Sequence, residues 1–81
     1  MHGNIESTEE MIQELIVHQQ SKLLKVAKEI VPDVTPEDIR NPQDFPELIA
    51  DTLFNYEEGI LTGYLTLQTA LRKQIKTENL D

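Results

Sequence analysis

All four prolines of this 81-residue chain, Pro32, Pro36, Pro42 and Pro46, fall within a stretch of fifteen positions. Proline lacks a backbone N–H and its ring clashes with the preceding turn, so a helix interior tolerates none of them. The chain is thereby divided into two long proline-free segments joined by a short proline-rich one.

The first segment opens on the pattern of a capping box, Ser7 with Glu10 three residues later, and Glu9 adds a favourable charge near a helix N-terminus. TEEMIQELIVHQQSKLLKVAKEIV then runs without glycine or proline as far as Pro32. This predicts a helix over about residues 8–31, ~36 Å long at 1.5 Å per residue. The last segment predicts a helix over about residues 52–76, with Arg72, Lys73 and Lys76 in its final turns, where cations suit the helix dipole. Residues 77–81 are expected to form a frayed tail.

The middle is built from helix starts. Thr35-Pro36-Glu37-Asp38 and Asn41-Pro42-Gln43-Asp44 each place a cap, a proline at the first helical position and an acid two residues on. Val34 and Ile39 stand where a hydrophobic staple would hold them. Short helical turns are expected over about residues 36–48, with Ile39, Phe45, Leu48 and Ile49 free to pack onto the long helices. Asp44-Phe45-Pro46-Glu47 offers a third start, either of the last helix or of a turn ending in a break near Asp51-Thr52. The whole is all-α, one domain spanning 1–81: an antiparallel hairpin of two long helices.

Placing residues at 100° steps shows how much surface such a hairpin must hide. On the first helix Ile12, Leu15, Ile16, Val17, Leu23, Leu24, Val26, Ala27 and Ile30 cover an arc of roughly 200°, interrupted by Gln19 and Gln20. On the last helix Leu53, Ile60, Tyr64, Leu67, Leu71 and Ile75 gather into one seam, and Phe54, Leu61 and Leu65 form a second row. One helix neighbour needs a stripe of only about 100°. The surplus points to a second contact, either with the proline-rich segment or with another chain. Pairing of two hairpins into a four-helix bundle, a homodimer, is the simplest closure.

A third row on the last helix is small throughout: Thr52, Gly59, Gly63, Thr66 and Ala70. Each glycine costs a helix about 1 kcal/mol relative to alanine. The row therefore admits a close neighbour, either the backbone of another helix or a bulky side chain of the same chain such as Phe45. A local kink at Gly59 is a further use. The residues expected to bind a partner are Phe54, Gly59, Leu61, Gly63 and Leu65.

Charge narrows the partners. Of the net −8, residues 29–58 hold nine acids against one base, Arg40, while the two flanking segments nearly balance. An acidic centre repels phosphate, which argues against direct binding of nucleic acid or anionic lipid. No apolar run approaches the ~18 residues a membrane span needs, and the N-terminus is acidic where a signal peptide is basic. The absence of cysteine excludes disulfides and thiolate metal sites and fits a cytoplasmic protein.

Catalytic chemistry finds no foothold. Only Ser7 and Ser21 offer hydroxyl nucleophiles of the usual kind, and nothing brings them to His2 or His18 with an acid. Glu14 and His18, four apart, supply two metal ligands where zinc takes three or four, and read better as a helix-stabilising pair. Arg40 and Arg72 are too far apart to converge on an anion, and no phosphate, calcium or dinucleotide motif occurs. Glu57, close to the apolar seam, needs a donor if it is buried, from a tyrosine or from a lysine of the first helix. No catalytic, metal or cofactor residue is therefore assigned. The expected function is a non-enzymatic protein–protein interaction module: a small acidic helical adaptor, co-chaperone or regulatory subunit. The alternative is an acidic decoy, with Glu37, Asp38, Asp44, Glu47 and Asp51 imitating nucleic acid at a partner's basic site.

Overall fold

The computed structural model describes the backbone of residues 2–79 and the side chains of residues 7–77. The described chain is an antiparallel helical hairpin, a rod of 48 × 19 × 18 Å. Helix α1 (His2–Ile30) and helix α4 (Thr52–Asn79) form its two rails. Between them lie α2 (Pro36–Ile39), a 3-10 turn (Pro42–Asp44) and α3 (Pro46–Ile49). Every one of these three short pieces begins on a proline, whose fixed φ suits a first helical turn and whose missing N–H is not needed there.

Both long helices outrun their expected ends. Helix α1 passes through Ser7, so Ser7 is an interior residue and no N-cap. A capping box is a local preference worth about 1 kcal/mol, and a helix that can continue outcompetes it. Helix α4 extends through Thr77 to Asn79, so that part of the expected tail is helical; residues 80 and 81 lie outside the described ones.

The connection is tied by side chains. Thr35 Oγ1 accepts from the Asp38 N–H at 3.2 Å while Asp38 Oδ2 accepts from the Thr35 N–H at 2.9 Å, a reciprocal capping box with aspartate in the third position. Asn41 makes no such side-chain bond, and the turn after it stays 3-10. The break before α4 falls at Asp51, whose Oδ1 accepts from the Phe54 N–H at 2.7 Å. Asn55 Nδ2 reaches back to the Ile49 carbonyl at 2.7 Å, fastening α4 to the end of α3.

These ties fold the connection back onto one end of the rod. There Leu23, Ala27, Val34, Leu48 and Phe54 form a closed core, ringed by Ile30, Ile39, Phe45 and Leu61 among others. Full burial of a leucine- or phenylalanine-sized side chain stabilises by roughly 1.5–3 kcal/mol. Ile49 points outward instead, because the tight turn over α3 turns Leu48 inward and its neighbour away. Among the described residues the other end of the rod has no third layer.

Candidate interaction surfaces

The contact between the rails follows a heptad. On α1 the inward positions are Glu9, Ile12, Ile16, Gln19, Leu23, Val26 and Ile30; on α4 they are Phe54, Glu57, Leu61, Tyr64, Gln68, Leu71 and Ile75. Each series alternates steps of three and four, and every member is buried or half-buried. These are the a and d positions of a helix pair. The expected α4 seam is corrected by about 50° of rotation on the 100° wheel: Leu53 and Leu67 are half exposed, and Phe54, Glu57 and Gln68 take the interior. Phe54 must enter the closed core beside Leu48, and that sets the rotation of the whole helix.

The rotation brings polar groups inside. Gln19 Nε2 donates to Glu57 Oε1 at 2.8 Å and to the Glu57 carbonyl at 2.9 Å. Lys22 Nζ lies 3.2 Å from Glu57 Oε2. Glu57 is 3% exposed, yet its carboxyl is held below the ordinary glutamate value. The Gln19 hydrogen bond is the main cause, and Lys22 adds a hydrogen bond and a favourable charge; together they outweigh the desolvation that pushes the other way. The lysine expected from the first helix is therefore present, joined by a glutamine that looked like an interruption in the apolar arc. Farther along, Gln68 Nε2 donates to Gln13 Oε1 at 2.7 Å, and Arg72 Nε pairs with Glu9 Oε1 at 3.3 Å. No buried side-chain nitrogen or oxygen among the described residues is left without a partner. The arrangement is structural: a polar layer that fixes the stagger of the two rails.

Two apolar flanks remain outside this seam. On one, a groove of about 590 Å³ runs between the rails. Val17, Gln20, Ser21 and Leu24 of α1 form one wall, and Glu58, Leu61, Thr62 and Leu65 of α4 form the other. Both walls follow the same i, i+3, i+4, i+7 spacing, two helical turns long. Pro36, Ile39, Arg40 and Pro42 close one end. On the other flank, no short helix stands between the rails, and Met11, Leu15, Leu53, Tyr56 and Leu67 are exposed.

The expected partner-binding residues separate accordingly. Leu61 and Leu65 line the groove. Phe54 is 0% exposed and belongs to the core of its own chain, so it offers no surface. Gly59 and Gly63 lie on the outer side of α4, where a Cβ added to either would meet nothing within 4 Å. The same-chain explanation of the glycines is thereby excluded: neither Phe45 nor any residue of α1 fills that space. Val17 and Leu24 were not assigned to a site. Their signal was present, since both sit at the edge of the α1 apolar arc, but only the position of α2 shows which edge becomes a groove.

Glu14 and His18 are both exposed on α1. Among the described residues no group of three or more His, Asp or Glu side chains is placed to hold a metal ion. No described helix is long and apolar enough to cross a membrane. The fold defines a two-rail helical hairpin with a polar layer and two apolar flanks. Compared with known protein families, with curated proteins and with solved structures, the chain matches none.

Proposed function

We propose that the protein is a non-enzymatic protein–protein interaction module, a small acidic adaptor, co-chaperone or regulatory subunit that seats a partner's helix in the groove between its rails. The observation that supports this most directly is the groove itself: two matched walls two turns long, with Val17 and Leu24 as the apolar residues of one and Leu61 and Leu65 of the other, closed at one end by α2. Amphipathic helices dock by laying i, i+3, i+4 and i+7 anchors into such a surface. Arg40 closes the groove, but Glu58 in its wall and Glu37 and Asp38 of α2 outnumber it, and this excess favours a basic flank on the incoming helix, since complementary charge speeds encounter and selects partners.

The acidic decoy draws less support. Of its five acids, Asp38 and Asp51 already accept from backbone N–H groups, which fixes them for capping. The test uses isotope-labelled protein and a synthetic helical peptide with leucines at i, i+3, i+4 and i+7 and lysines elsewhere. Shifts should concentrate at Val17, Leu24, Leu61 and Leu65 and survive added salt. Leu65→Asp, at a site 41% exposed, should abolish them while circular dichroism stays helical. Shifts confined to residues 33–51 and erased by salt would support the decoy instead.

A further inference from the structure

The groove is not apolar along its whole length. Two of its lining residues are charged, Glu58 in the α4 wall and Arg40 at the end formed by α2. Glu58 is half-buried and Arg40 exposed, and among the described residues neither side chain has an ion pair or a hydrogen bond. Gln19 and Glu57 meet across the seam. Their neighbours in sequence, Gln20 and Glu58, therefore stand on the two walls of the groove within a helical turn of each other. Apolar levels bracket this polar one. Leu24 lies one turn from Gln20 toward the closed end, while Leu61 and Leu65 follow Glu58 toward the open end, with Val17 on the other wall.

We infer that the helix seated here carries an arginine inside its apolar stripe and that Glu58 selects for it; the inference rests on the groove being a helix-binding surface. A helix apolar throughout its stripe would strip water from the Glu58 carboxylate and offer it no partner, which penalises that helix. Rejecting a wrong partner through an unpaired charge is as effective as attracting the right one. An arginine at this level removes the penalty. Its planar guanidinium pairs with a carboxylate through two parallel N–H groups and has others to offer the Gln20 side-chain oxygen on the facing wall. Arg40, the one cation among the lining residues, is not paired with Glu58, so the carboxylate stays available to the incoming helix.

The residue spacing of the walls sets where that arginine belongs. All helices rise by the same step per residue, so positions along the rails translate directly into positions on a helix laid beside them. Leu24, the level of Glu58, Leu61 with Val17, and Leu65 correspond to i, i+4, i+7 and i+11. The arginine stands at i+4 when the helix is read from the closed end and at i+7 when it is read from the open end. The other three positions are apolar in both directions.

The experiment titrates the full chain with two synthetic helical peptides, leucine at three of those positions and arginine at i+4 or at i+7. Each has a counterpart in which the arginine and a glutamine of the outer face trade places, so that net charge is unchanged and general attraction to an acidic protein cancels. One arginine peptide should bind at least ~10-fold tighter than its counterpart, with chemical shifts moving at Val17, Leu24, Leu61 and Leu65. Glu58→Gln should remove the difference while circular dichroism stays helical. Glu58→Lys should transfer the preference to a peptide with glutamate in place of the arginine, an exchange that a merely structural role of Glu58 would not produce. Arg40→Ala should keep the preference, and its loss there would place the selecting charge at the closed end and overturn the assignment. Equal binding of both peptides and their counterparts in the groove, or a preference that survives Glu58→Gln, overturns the role of Glu58 and leaves the groove as a helix site. Shifts from no peptide at the groove residues overturn the helix-binding reading itself.

Discussion

The two ends of the rod are made from the same two helices, yet only one of them has a closed core. At the proline-rich end, Leu23, Ala27, Val34, Leu48 and Phe54 are each at most 2% exposed. At the open end Ile12 and Ile16 are buried, Leu71 and Ile75 are only half-buried, and the rails are held by the Gln13–Gln68 and Glu9–Arg72 contacts. The difference is the third layer. Two cylinders touch along a line and leave both flanks open, whereas α2 and α3 cover the angle between them. Helix length adds contact but never enclosure.

This contrast is most directly broken in the core. Phe54→Ala should destabilise by about 3–5 kcal/mol, a large share of the roughly 5–15 kcal/mol by which native proteins are ordinarily stable. Leu71→Ala, at the open end, should fall well short of that, because a half-exposed side chain has less transfer energy to lose. Urea denaturation of both variants measures the gap, and comparable losses would show that the ends do not differ in this way.

The polar layer lies between the two ends and sharpens the comparison. Gln19→Ala removes the main donor to a buried carboxylate and should cost about 1–3 kcal/mol. Its pH dependence has a definite sign. Because Glu57 is held below the ordinary value of 4.5, its ionised form contributes stability above that pH, and the contribution disappears as pH falls through its lowered pKa in the folded state. Acid titration followed by circular dichroism should show this component in the native protein and lose it in Glu57→Gln. An unchanged acid transition in that variant would assign the acid sensitivity to other carboxylates.

The smallest effect is expected on the outer side of α4. Gly59→Ala should stabilise the helix by up to about 1 kcal/mol, since the added methyl meets open space. Gly63→Ala should do the same in the monomer. If thermal melting shows a gain for Gly59→Ala and a concentration-dependent loss for Gly63→Ala, the bare backbone at Gly63 belongs to a contact between chains.

Much of this architecture is legible without coordinates. Proline spacing marks the connection, Thr35 before Pro36 marks a cap, and the 3.6-residue periodicity marks two long amphipathic helices. Their rotation is not legible. Ranking faces by hydrophobicity selects Leu53, Ile60 and Leu67 as the seam, because Glu57 and Gln68 look like surface residues until Gln19, Lys22 and Gln13 are placed opposite them. The helix ends are similarly hidden at Ser7, where a good cap is passed over.

The sequence by itself determined the helical class, the hairpin connectivity, the concentration of acid in the middle and the surplus of apolar surface. These depend on local backbone restrictions and on residue order, which need no partner to be read. Only the tertiary structure decided which stripe of α4 turns inward, which flank becomes a groove, and that Gln19 belongs to the core. Each of those follows from long-range contacts: Phe54 against Leu48, Gln19 against Glu57, and α2 beside the rails. A hydrophobic residue carries its preference for burial with it, but the direction of burial comes from its neighbours in space.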